Sequence, residues 1–146
     1  GEADALAILG MGGTMMTQIL NVEPPLMGAE KCVLQPMRAA EDIRRWLFER
    51  NYPVLDDRVV LDTGRYYQIF SVGQPLPRAK SLPDGWPDGC FFLGYTAFAR
   101  REPMMRQLAE RLLATARRKQ RTQRAQALET QTQQLEQILN QWEKRQ

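Results

Sequence analysis

The chain has 146 residues, enough for one ordinary domain, and its 43% hydrophobic and 25% charged content is that of a globular protein rather than a disordered or fibrous one. It contains no histidine, which removes Ser-His and Cys-His nucleophilic catalysis from this segment, and no apolar run approaches the length of a membrane span. The net charge of +3 is unevenly spread: residues 1–99 hold nine Lys or Arg against twelve Asp or Glu, residues 100–146 eleven against five, so the basicity belongs to the tail.

The opening Ala5-Leu-Ala-Ile-Leu-Gly-Met-Gly-Gly-Thr14 is an apolar run that stops at three glycines within four residues. It predicts a buried strand, covered on both faces as in a parallel α/β sheet, running into a glycine turn. Ligands of such sheets collect at the carboxyl ends of strands, where Gly10, Met11, Gly12 and Gly13 fall. Met15, Met16, Ile19 and Leu20 then recur at helical spacing, the methionines reading as packing residues, and Asn21 to Pro25 ends that helix. Lys31-Cys-Val-Leu-Gln-Pro36 predicts a second short strand, followed by a helix over 39–51 with Ala40, Ile43 and Leu47 inward and Glu41, Arg44, Arg45 and Glu49 toward solvent. Two strand-loop-helix units in series are the grammar of a parallel sheet.

From Val54 the period changes. Val54 to Leu61 and Arg65 to Val72 are extended, and Asp62-Thr-Gly64 between them marks a β-hairpin. The stretch 74–90 holds Pro75, Pro77, Pro83 and Pro87 and reads as a linker between a sheet domain, 1–73, and a helical part, 91–146. Past Pro103 one apolar stripe runs through Met105, Leu108, Leu112 and Ala116 and another through Leu128, Leu135, Ile138 and Trp142. Two arrangements fit, a helical hairpin folding one stripe on the other or one long helix that dimerises, and the polar gap between the stripes favours the hairpin. Arg117, Arg118, Lys119, Arg121 and Arg124 lie within eight residues with no acid among them, a cluster suited to phosphate backbones, against the plainer reading of a solvated helix face. Cys32 and Cys90 have no second cysteine at ligand spacing, so no metal site and a reducing, cytoplasmic setting are expected.

Four blocks occur in order: Leu9-Gly-Met-Gly-Gly-Thr14, Leu34-Gln-Pro36, Ile43-Arg-Arg-Trp-Leu47 and Gly64-Arg-Tyr-Tyr-Gln-Ile69. On these blocks the chain resembles the bacterial tRNA (adenine-22-N1)-methyltransferase (TrmK) family, strongly to about Val72 and more loosely beyond. Met37, where many relatives carry Asn, and Leu93-Gly-Tyr95, in place of a Gly-Pro pair, depart from the family pattern. The resemblance implies the C-terminal half, strands 4 to 7, of a class I (Rossmann-like) methyltransferase sheet, followed by a helical coiled-coil appendage. It implies S-adenosyl-L-methionine as cofactor, tRNA as partner and methyl transfer to N1 of an adenine. Since the family's main cofactor loop is not in this sequence, the expectation is a fragment that is inactive alone.

Gly10, Met11, Gly12 and Gly13 would then face the cofactor or the target base, with Gln35 offering a donor and an acceptor to an adenine edge and Pro36 fixing the turn beneath it. From the residues alone, Gln35 reads as a polar strand terminator bonded to nearby backbone. Tyr66 and Tyr67 are candidate stacking residues, one of which should pack inward. Two other functions fit the same residues: a non-catalytic basic helical RNA-binding module, and one half of a split methyltransferase.

Overall fold

The computed structural model describes residues 4–22, 25–77 and 89–144. Strand β1 (Ala5–Gly12) leads into helix α1 (Gly13–Val22), and a 3-10 turn (Pro25–Gly28) returns the chain to β2 (Lys31–Arg38) and α2 (Ala40–Glu49). β3 (Val54–Asp62) and β4 (Arg65–Gly73) follow, then two short helices, α3 (Cys90–Leu93) and α4 (Tyr95–Arg100), and two long ones, α5 (Pro103–Gln120) and α6 (Gln126–Lys144). Of the expected linker, 74–90, residues 78–88 with Pro83 and Pro87 lie outside the described residues.

The strands form one sheet in the order β1-β2-β4-β3, with β1 and β2 parallel and both pairings of β4 antiparallel. The hairpin turn is of the type whose central residues are both left-handed: Thr63 has φ 48° and Gly64 φ 74°. In β1 the register with β2 shifts between Leu9 and Met11, and Gly10, at φ +72°, absorbs the extra residue as a bulge.

One face of the sheet carries all the helices of the described residues. Ile8, Leu34, Phe70 and Val72 pack there against Met16 and Leu20 of α1 and Ile43 and Leu47 of α2. A second core adjoins it, in which Val59 of β3 meets Phe92, Leu93 and Phe98 of the short helices and Met105, Leu108, Leu135, Ile138 and Trp142 of the long pair. Tyr95 packs against both cores, and its hydroxyl accepts the Val54 N–H at 3.3 Å. The other face is open, contrary to the strand covered on both sides that the unbroken apolar run predicts: Leu9 is 54% exposed, and a hollow of about 650 Å³ lies among residues including Val33, Val60, Tyr67 and Ile69. An apolar run reports that a strand can be covered twice, and the described residues supply helices for one face only.

Arg44, expected on the wet face of α2, is 1% exposed. Its guanidinium donates to Asp57 Oδ1 at 3.2 Å, to Gln68 Oε1 at 2.6 Å and to the Phe91 carbonyl at 3.1 Å, and lies 4.6 Å from the centre of the Phe70 ring. Asp57 in turn accepts the Thr96 hydroxyl at 2.6 Å. A Cβ on Gly94, at φ +86°, would collide with the Asp57 carboxylate, so only glycine fits between α3 and α4. This buried pair fastens α2, β3, β4 and the first helices of the tail to each other, and its polar atoms are met, as a buried charge requires.

α5 and α6 pack against each other as separate helices joined by residues 121–125. Arg101, just before α5, donates to the Trp142 carbonyl near the end of α6, and Arg106 meets Glu143, so the two helices run in opposite directions. Leu128 is only half-buried, and the stripe on α6 is completed by Thr132, whose hydroxyl donates to the Leu128 carbonyl one turn back.

A candidate site at the strand ends

The carboxyl ends of the two parallel strands lie side by side, and the turns that follow are in backbone contact. Gly13 opens α1 so close to the start of α2 that a Cβ there would strike the Ala39 carbonyl oxygen, while Ala39 takes φ 55° to begin α2. Gly12 is different: a Cβ would meet only the Arg38 side chain, at an ordinary 3.8 Å. Gly10 has open space about it. Three glycines in four residues thus do three things: one makes the bulge, one leaves room at the surface, and one lets two turns touch.

Gln35 joins the turns. Its Oε1 accepts the Gly10 N–H at 3.0 Å, and its Nε2 donates to the Met37 sulfur at 3.2 Å. The amide keeps a second N–H and a second lone pair for other partners. Pro36 is buried below it, and Met11 packs against the first core rather than facing the turn's open side. The strand-end residues Gly10, Gly12, Gly13 and Gln35 are therefore brought together, with Met11 turned toward packing.

Two clefts open beside this turn. The first, about 420 Å³, lies among Gln35, Arg38, Arg65, Tyr66 and Tyr67; the second, about 380 Å³, runs from Arg38 and Glu41 past Tyr66 and Gln68 to Leu108, Leu112 and Lys119 of α5. Tyr66 leans on the second core, its hydroxyl donates to Gln107 Oε1 at 3.2 Å, and the Arg111 guanidinium lies over its ring at 5.5 Å. Tyr67 points the other way and also borders the open apolar hollow, the alternation expected of neighbours in a strand. Burial raises the pKa of Glu41, and this outweighs the lowering by the backbone N–H of the first helical turn and by Arg44 and Arg45. Burial likewise pushes the Cys32 thiol up to about 11, which makes it inert.

The basic cluster occupies the last turn of α5 and the link to α6. All five side chains are exposed, and only Arg117 forms an ion pair among the described residues, with Glu136 at 2.7 Å. Sequence reasoning gave Arg38 and Arg65 no role and placed Glu41, which is half-buried, toward solvent. Each is one charged residue beside a turn, and no spacing rule marks it. Among the described residues no group of His, Cys, Asp and Glu could hold a metal ion, and no helix is long and apolar enough to cross a membrane.

Residues 1–70, which hold both strand-end turns, match the family model described as a methyltransferase domain. Over 70 residues the chain is 39% identical to the tRNA (adenine(22)-N(1))-methyltransferase of Bacillus subtilis (strain 168), a match spanning 47% of this chain and 29% of that protein. Over that segment the chain is similar to a tRNA (adenine(22)-N(1))-methyltransferase. Solved structures agree in fold along nearly the whole chain. A putative tRNA (m1A22) methyltransferase of Streptococcus pneumoniae superposes with a TM-score of 0.75 at 19% identity, covering 93% of this chain and 61% of that one. The B. subtilis M1A22 tRNA methyltransferase TrmK gives 0.68 at 22%, covering 97% and 62%. A protein of the NADB-Rossmann superfamily from Streptococcus agalactiae gives 0.77 at 20%, covering 93% and 60%. The chain thus spans about three-fifths of these structures, and they align through the helices as well as the sheet.

Proposed function

We propose that this chain is the catalytic-face and helical part of an S-adenosyl-L-methionine-dependent tRNA methyltransferase that modifies N1 of an adenine, at position 22 by likeness to its relatives. The 39% identity to the B. subtilis protein carries this reading, and the methyltransferase-domain match over residues 1–70, which hold both touching strand-end turns, supports it. β1, β2, β3 and β4 correspond to strands four to seven of a class I sheet, and the order β1-β2-β4-β3 with its antiparallel β4 supports that numbering. Residues 1–73 are then the sheet part and 91–146 a helical, coiled-coil appendage that adds RNA affinity, packed on the sheet through Val59 and Tyr66. The setting is cytoplasmic, where tRNA is modified.

The fit to the cofactor is steric. Gly10 leaves open space above the β1 turn and Gly12 leaves room beside the Arg38 side chain, so the backbone there can border the donor end of the cofactor and the edge of a base. The cofactor supplies an already activated methyl group. N1 of adenine has its own lone pair, so the residues here need to orient the base and exclude water more than to move a proton, and the missing histidine is no obstacle. Gln35, tethered to Gly10, can offer its remaining N–H and lone pair to an extruded adenine.

The test is methylation of unmodified tRNA by the whole protein with the cofactor, followed by nucleoside mass spectrometry and mapping of the product. 1-Methyladenosine at position 22 is expected. Methylation of another atom or base, or none of tRNA, overturns the reading.

A further inference from the structure

The two clefts beside the strand ends adjoin each other. They share Pro36, Met37, Arg38 and Tyr66 among their lining residues, and together, as two arms of one groove, they reach from the Gly10–Gln35 bridge to Lys119, a member of the basic cluster on α5. Its charge is one-sided. Arg38, Arg65 and Lys119 are exposed and form no ion pair among the described residues, and Glu41 is the one acidic side chain among those lining either cleft. Its walls are braced as well: Arg111 of α5 donates to the Gly64 carbonyl at 3.1 Å and covers the Tyr66 ring, tying α5 to the β3–β4 turn. A cationic groove with an aromatic face beside it is the chemistry that takes single-stranded nucleic acid, the cations on the phosphates and the ring on a base.

We propose that this groove carries the nucleotides flanking the target adenine, with Arg38 and Arg65 on their phosphates and Tyr67 stacked on a base, and that Lys119 makes it continuous with the basic end of α5. The inference rests on the tRNA-methyltransferase reading and deepens it, since it moves part of the RNA contact from the tail to the sheet. A groove leading to the turn also provides what extrusion of a base requires, namely a hold on the backbone at either side of the extruded nucleotide.

Filter binding of tRNA to the whole protein across a salt series tests this, with Arg38→Gln/Arg65→Gln beside the parent. Both side chains are exposed, so the melting temperature should not move. The slope of log affinity against log salt should flatten by about 0.7 to 0.9 for each phosphate contact removed, KM for tRNA should rise, and KM for the cofactor should stay at its parental value. Tyr67→Leu should weaken binding with the slope intact, and Tyr67→Phe should restore it. A double variant with parental slope and affinity overturns the groove even if the parent methylates tRNA as expected. A flattened slope supports it even if the methylated position proves to be another one, an outcome that would count against the reading of the reaction alone.

Discussion

Arg44 shows how much one residue decides. Burial of a guanidinium is tolerated only because Asp57, Gln68 and the Phe91 carbonyl meet it, so removing the cation strands a buried carboxylate. Arg44→Met should therefore cost about 3–5 kcal/mol in urea unfolding, whereas Arg50→Met, at the exposed residue that caps the end of the same helix, should cost less than about 1 kcal/mol. Equal losses would mean that the buried network carries no special weight. At the strand ends, Gly13→Ala should destabilise by about 1–3 kcal/mol, because its Cβ would press on the Ala39 carbonyl. Gly12→Val should fold normally and lose methyl transfer, because its side chain would fill the open space above the turn. A Gly12→Val enzyme with parental activity would make that space irrelevant to the reaction. Glu41 adds a pH signature. Its pKa is raised by burial, so the fold prefers the neutral acid, and stability is lost as pH climbs from the unfolded value through the folded one. Glu41→Gln should melt at or above the parent at pH 7, with the difference vanishing below the ordinary glutamate range. A parent that melts higher than the variant at pH 7 would contradict the sign.

At the scale of elements, what was legible in the sequence was what depends on local pattern. The apolar run into three glycines announced β1 and its turn, Asp62-Thr-Gly64 announced the hairpin, and the two tail stripes announced α5 and α6. What depends on distant partners was not legible. Arg44 sits at a position on α2 that reads as wet unless one knows that β3 places a carboxylate opposite it, and α3 and α4 are too short to declare a period. Arg38 and Arg65 gain meaning only when the end of β2 and the β3–β4 turn become two sides of one cleft. Within the basic cluster, structure also ranks residues that look equal in sequence. Arg117 is already paired with Glu136, while Arg121 and Arg124 stand exposed in the link between the helices. Replacing all five cations by Gln should flatten the salt dependence of tRNA binding. Arg121→Gln alone should account for more of the change than Arg117→Gln, and the reverse order would show that the Arg117–Glu136 pair opens on binding.

For the molecule as a whole, the two faces of the sheet have unequal fates. The helical face is a double core, while the other leaves Leu9 of β1 and Val60 of β3 exposed, on the two strands that are the edges of the sheet among the described residues. The 146-residue chain by itself should therefore bind a hydrophobic dye and self-associate as concentration rises, and Leu9→Ser/Val60→Ser should suppress both, as read by light scattering. A monodisperse monomer at high concentration would show that this apolar surface is harmless. The network at Arg44 has a different consequence for the molecule. It clamps the root of the tail to the sheet, and from that root α5 extends about 27 Å at 1.5 Å per residue, with its basic end held by α6. The distance from the glycine turn to those cations is thus fixed like the jaws of a caliper. An RNA whose target base and whose distant phosphates are separated by another span cannot engage both at once, so such an enzyme would select its substrate by measuring a folded shape.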